Sequence, residues 1–142
     1  MFRIVYFCNS RFRIDLQISM KLNTIFLKGN SKFSNALQVW ATDRNFELAE
    51  FNEKLENPDE GIDGMVIFNE NQELDRDTVE IRAMFDNNQK PVHKIDINGT
   101  LMVGVSNLDL WLERNSCKKV LIVGADSLVA NVNLERFISN LK

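Results

Sequence analysis

From residue 22 onward the chain alternates short apolar runs with stretches whose apolar residues recur every three or four positions, the pattern of strands and helices in succession. "NTIFLKG" reads as a buried strand. "SKFSNALQVWATDRN" then places Ala36, Leu37, Trp40 and Ala41 on one helical face, with Ser31 or Ser34 available as the N-cap. "FELAEFN" predicts a weaker second strand, "ENPDEG" a loop and "DGMVIFNE" a good third strand. "TVEIRAMFDNN" predicts a second helix with Val79, Ala83 and Met84 turned inward. "KPVHKIDI" follows as a fourth strand, its proline at the start, where a missing N–H does least harm.

The next stretch carries two signals. Asn98-Gly99 between apolar runs marks a hairpin, whereas a crossover back into a parallel sheet needs a helix. Both are expected: a short strand over 101–105, then a helix at "SNLDLWLERN" with Ser106 as N-cap and Asp109 in the capping-box position. "KKVLIVGA" is the clearest buried strand of the chain, and "NLERFISNLK" is an amphipathic helix with Leu134, Phe137, Ile138 and Leu141 on one side. Ahead of all this, residues 11–22 alternate apolar and polar, from Arg11-Phe12 to Lys21-Leu22, as a strand with one wet face does. With "FRIVYF" and the polar break Asn9-Ser10 before it, this segment predicts a hairpin, or an extension upstream of a start at Met20.

Strands alternating with helices of this length imply a parallel sheet covered on both faces, and right-handed crossovers leave few topologies. The expected architecture is a three-layer Rossmann-like α/β sandwich with a mostly parallel five-stranded sheet over residues 22–142. Residues 1–21 are expected to form an N-terminal β-hairpin or extension. A chain of 142 residues suits one such domain.

Charge narrows the choice of partner. The net charge of −3, with no dense basic cluster, gives no general attraction to phosphate backbones, so no nucleic acid is expected. Two cysteines, Cys8 and Cys117, and one histidine, His93, have no metal-ligand spacing, so no metal and no cofactor are expected. The run "MFRIVYFC" is broken by Arg3 and falls far short of the roughly 20 residues that cross a bilayer. No cleavage site follows it, so the expectation is a cytoplasmic protein with no membrane contact.

In open parallel sheets, ligands bind outside the carboxyl ends of the strands, where strand order reverses. That rule selects the loops at 28–32, 69–78, 96–100 and 124–130. In the first, Gly29 permits a tight turn, Asn30 and Ser31 supply donors, and a helix N-terminus can hold an anion, with Lys28 and Lys32 adding charge. A plain strand-to-helix turn would use the same residues. In the second, Asn69, Asp75, Asp77 and Thr78 are candidate ligand contacts. Asp77 with Glu80 three residues on also has capping-box spacing, so the pair is either a helix start or a ligand-binding turn. Gly124, Asp126 and Ser127 follow the last strand, where a loop residue meets ribose or phosphate; Asp126 could equally cap a turn.

"DRDTVEIRAMFDNNQKPVHKID" resembles the segment of nucleoside 2-deoxyribosyltransferases in which an Asp, a Gly-Thr and a Glu precede a helix ending in Lys-Pro-Val. Here Asp77 stands in place of the glycine, and Thr78 and Glu80 lie one residue closer together. The resemblance implies Glu80 as nucleophile and Asp75 or Asp77 as a sugar ligand. Over residues 64–142, "DGMVIFN", "WLERNSCKKVLIVGADS" and "NLERFISNLK" join that segment in resembling the molybdenum-carrier group, among nucleotide-binding families related to lysine-decarboxylase-like Rossmann proteins. Those families place glycine-rich turns where this chain has Asp75, Asp77, Thr78 and "GADSLVAN". Glycine lets a backbone approach a phosphate and aspartate repels one, so the resemblance implies the fold but neither the inherited ligand nor a molybdenum site.

The leading expectation is a small binding protein that holds a nucleotide or nucleotide-derived small molecule at the strand carboxyl edge without turnover. One alternative is an enzyme that cleaves an N-glycosidic bond with Glu80 as nucleophile. Another is an interaction module whose N-terminal strand pairs with a second copy, giving a homo-oligomer, or with a different protein.

Overall fold

Runs whose inner positions are all apolar become central strands, and runs with a charged residue at an inner position become edges. The computed structural model describes residues 22–29 and 31–141. The alternating segment before Leu22 and its expected hairpin lie outside the described residues, as does Asn30. The element order is β1 (Thr24–Lys28), α1 (Lys32–Asp43), β2 (Glu47–Phe51), β3 (Gly64–Asn69), α2 (Arg76–Asn87), β4 (Val92–Asp96), α3 (Leu101–Arg114) and β5 (Lys119–Gly124). A 3-10 helix, Asp126–Ala130, then leads into α4 (Val132–Ser139).

Among the described residues, five strands form one sheet in the order β2-β1-β5-β3-β4, parallel at every pairing. The sheet is thus wholly parallel rather than mostly so. β3 is buried at every position and β5 at its four central residues, as expected of strands covered on both faces. The edge strands β2 and β4 each have a single buried residue, Phe51 and Ile95.

Crossover handedness distributes the helices. The step from β1 to β2 and the step from β4 to β5 run in one direction across the sheet, and the step from β3 to β4 runs in the other. Right-handed connections therefore put α1 and α3 on one face and α2 on the opposite face. The cores agree: Leu37, Leu112 and Phe137 from α1, α3 and α4 pack with Ile25, Val66, Phe68 and Val120, while Ile81 and Phe85 of α2 pack with Met65, Ile67, Leu121 and Val123. Phe68 joins the first layer, its ring 5.8 Å from Phe33 and 5.4 Å from Phe137.

Two helices differ from the sequence reading. The segment 101–105 is the first part of α3, with Thr100 at the N-cap, so Ser106 lies inside the helix. The Asn98-Gly99 signal is a turn, closed by bonds from the Asn98 amide to the Asp96 carboxylate and from the Gly99 amide to the Asp96 carbonyl. The return from edge strand β4 to central strand β5 takes the whole helix, leaving no room for an added strand. Gly104 in that helix serves packing, because a Cβ there would come 2.8 Å from the Phe137 ring on α4.

α2 starts earlier than expected and buries a different stripe. Its N-cap is Asp75, and it turns Thr78, Ile81 and Phe85 inward, while Val79 and Ala83 are exposed and Met84 is only partly covered. Burying Phe85 and Ile81 removes more apolar surface from water than burying Val79 and Ala83 would, and this sets the rotation of the helix.

Candidate functional site

Strand order reverses across β5, so the carboxyl ends of β1, β5 and β3 bound a crevice. A cleft of about 240 Å³ lies there, lined by Lys28, Ser31, Phe33, Ser34, Asp75, Asp77, Val123, Gly124, Ala125 and Asp126. Of the residues expected from sequence, Ser31, Asp75, Asp77, Gly124 and Asp126 meet in this cleft, together with Lys28.

Each has local work that explains its position. Ser31 caps α1, its hydroxyl accepting from the Ser34 amide at 3.0 Å. The Phe33 amide in the same helix turn donates to the Asp126 carboxylate at 3.1 Å, so a residue beyond β5 reaches across to the start of α1. Asp75 accepts from the Thr78 amide at 2.8 Å and is the cap of α2, the role expected of Asp77. With no capping duty, Asp77 is turned to Lys28, whose ammonium donates to its carboxylate. Gly124 is required by packing: a Cβ there would stand 2.5 Å from the Phe33 ring.

A third member joins the Lys28–Asp77 pair. Glu53, in the loop after β2, is exposed overall, but its carboxyl group hydrogen-bonds Asp77. Burial, then that bond and the negative charge of Asp77, push the Glu53 carboxyl above the usual carboxylate range. Asp77 moves the opposite way: the Lys28 bond holds it below that range, against the effect of burial and with help from Glu53. Sequence reasoning missed Glu53 because nothing around it signals a site; only the fold brings it to Asp77.

The remaining expected residues lie elsewhere. Gly29 lines a neighbouring groove with Glu50, and Lys32 is exposed at the first position of α1. Asn69 is buried at the end of β3, its amide donating to the Ile95 carbonyl at 3.0 Å. Thr78 is buried within α2, and Ser127 is exposed in the 3-10 helix. Glu80 is outside the lining; its side chain is 65% exposed and pairs with Arg76 one turn back, at 3.3 Å.

Sequence reasoning also passed over a carboxamide network on the same edge. Asn131, which caps α4, donates to Glu70 at 2.6 Å and to Asn98 at 3.1 Å. Asn133 also donates to the Asn98 side-chain oxygen, at 3.0 Å. These bonds tie the start of α4 to the loops after β3 and β4. Among the described residues there is no cluster of three or more His, Cys, Asp or Glu arranged to hold a metal ion, and no helix is long and apolar enough to cross a membrane.

No family model matches the sequence, and no curated protein matches it. Among solved structures, the chain is similar to the crystal structure of a "putative molybdenum carrier protein" from Syntrophus aciditrophicus, with a TM-score of 0.66 at 12% identity over 83% of this chain and 92% of that one. At that identity the likeness is one of fold. It agrees with the wider resemblance drawn from residues 64–142 and does not extend to the deoxyribosyltransferase or lysine-decarboxylase-like groups. The chain is an α/β protein of Rossmann-like architecture that shares its fold with the Syntrophus protein.

Proposed function

We propose that this protein is a small binding protein that holds a nucleotide-derived ligand in the cleft over β1, β5 and β3, without turnover. The observation that carries the reading is the position of Asp77, which is freed from helix capping and presented, with Lys28 and Glu53, at the point where the strand order reverses. A polar side chain that is not needed for the helix, at the edge where this architecture takes ligands, is available for recognition.

Size points to the part of the ligand held. At about 240 Å³ the cleft is smaller than the roughly 300 to 1,000 Å³ of sites that enclose a whole drug-sized ligand. It suits a sugar ring, with the base or other substituents outside. Hydroxyl pairs match the acceptors of Asp75 and Asp77 and the hydroxyls of Ser31 and Ser34. The Syntrophus protein is described as a molybdenum carrier; for this chain, three aspartates around the cleft weigh against a molybdate-type oxyanion.

The test is a thermal-shift panel of nucleosides, nucleotides, ADP-ribose and molybdate on the wild type and Asp77→Asn. A saturable rise in Tm with a sugar-containing ligand, reduced in Asp77→Asn, is the expected result. Absence of any saturable shift up to millimolar ligand would remove the reading. Glu80→Gln should bind as the wild type does, since Glu80 lies outside the cleft.

A further inference from the structure

We infer that the cleft selects an unphosphorylated ligand, a nucleoside over its own 5′-phosphate, because the position an anion would take at the start of α1 is already filled by the carboxylate of Asp126. The inference rests on the binding function proposed above and names the chemical class of its ligand.

In Rossmann-like folds the natural place for a phosphate is the N-terminus of the helix after the first strand, where free amides and the helix dipole converge. Here two of the first three amides of α1 are committed: Phe33 to the Asp126 carboxylate and Ser34 to the Ser31 hydroxyl. The filling group on Phe33 is itself an anion. A phosphate entering this turn would have to displace a carboxylate supplied by the same chain, then lie beside it. Relocation would help little, since the other wall carries Asp75, already bonded to the Thr78 amide, and Asp77.

The cleft's lysine does not reverse the balance. Lys28 is spent on Asp77, so its charge is offset before any ligand arrives. The lining thus sets one lysine against three aspartates, in a space too small to hold a phosphate far from them. A neutral sugar has no such conflict, because carboxylates accept from its hydroxyl groups and serine hydroxyls both accept from and donate to them. The same residues that repel a phosphate can hold a ribose diol.

The experiment compares four ribonucleosides with their 5′-monophosphates by titration calorimetry, on the wild type, Asp126→Asn and Asp126→Ala. The asparagine variant keeps an oxygen for the Phe33 amide and removes only the charge, so it is the variant expected to keep the fold. In the wild type at least one nucleoside should bind, and its monophosphate should bind at least about tenfold more weakly, a modest share of what like-charge juxtaposition costs. In Asp126→Asn that gap should shrink several-fold. Asp126→Ala, which also frees the amide, should gain affinity for inorganic phosphate. A monophosphate that binds the wild type as tightly as its nucleoside overturns the inference while leaving the binding function standing. A gap unchanged in both variants overturns the role of Asp126. If neither class binds the wild type, the proposed function fails and the selectivity falls with it.

Discussion

Lys28, at the end of β1, donates to the carboxylate of Asp77, in the first turn of α2, across 49 residues of sequence and over the end of the strand that lies between them. The two side chains are 27% and 45% exposed, so solvent screens much of their attraction. A double-mutant cycle with Lys28→Met and Asp77→Asn, read by urea denaturation at pH 7, should give a coupling of about 0.2–1 kcal/mol that weakens in high salt.

The same pair should respond to acid with a definite sign. Asp77 has a folded pKa below its ordinary 3.8, so the unfolded chain binds its proton first. The stabilisation is therefore fully present above that value and is lost as pH falls through the lower folded value. The cycle repeated in acid should lose its coupling below about pH 3.8 and keep it at pH 5.

His93 supplies a second pH dependence, at milder pH. Its ring lies over Trp111 at 5.4 Å, inclined by 26°, and burial lowers its pKa from 6.5. The folded state holds this imidazole neutral in preference to charged, so the stability it permits is present above pH 6.5 and declines as pH falls below it. His93→Phe keeps an aromatic ring on Trp111 and should flatten the change in urea midpoint between pH 7.5 and pH 5.

Gly124 lines the cleft, yet the structure ties it to Phe33. Gly124→Ala should destabilise by about 1–3 kcal/mol through overpacking, and Phe33→Leu in the same chain should recover part of that loss. A loss unrelieved by the second substitution would show that the glycine is needed for another reason.

The cap of α2 can be tested in the same way against the expected capping box, in which Glu80 would share the work with Asp77. Asp75→Ala removes the acceptor of the Thr78 amide and should cost about 0.5–2 kcal/mol, whereas Glu80→Ala, on an exposed pair, should cost less than about 0.5 kcal/mol. Equal losses in thermal denaturation would contradict the assignment of Asp75 as the cap.

That assignment also shows where sequence reasoning reaches its limit. Asp75 and Asp77 are both good cap residues, two positions apart, and each begins a plausible helix. What decides between them is the fit of Ile81 and Phe85 against Met65 and Ile67, a tertiary fact with no local trace. Strands β3 and β5 were legible because burial on both faces leaves an unbroken apolar run. Residues 101–105 were not, since a glycine and two valines read as strand, while the topology required a helix there. The loops bounding the cleft followed from the strand-end rule; the Asp126 bond to α1 and the approach of Glu53 did not, because both depend on contacts between distant segments.

The sheet order has a consequence for how the molecule is made. β1 and β3 do not pair with each other; each pairs with β5, which stands between them. The parallel pairs β1–β2 and β3–β4 touch only through β5, so they belong to one sheet only once Lys119–Gly124 is in place. Among the described residues this keystone is the last strand in sequence, so the pairings that unite the sheet join segments far apart along the chain, and pairing of that long range is slow to form.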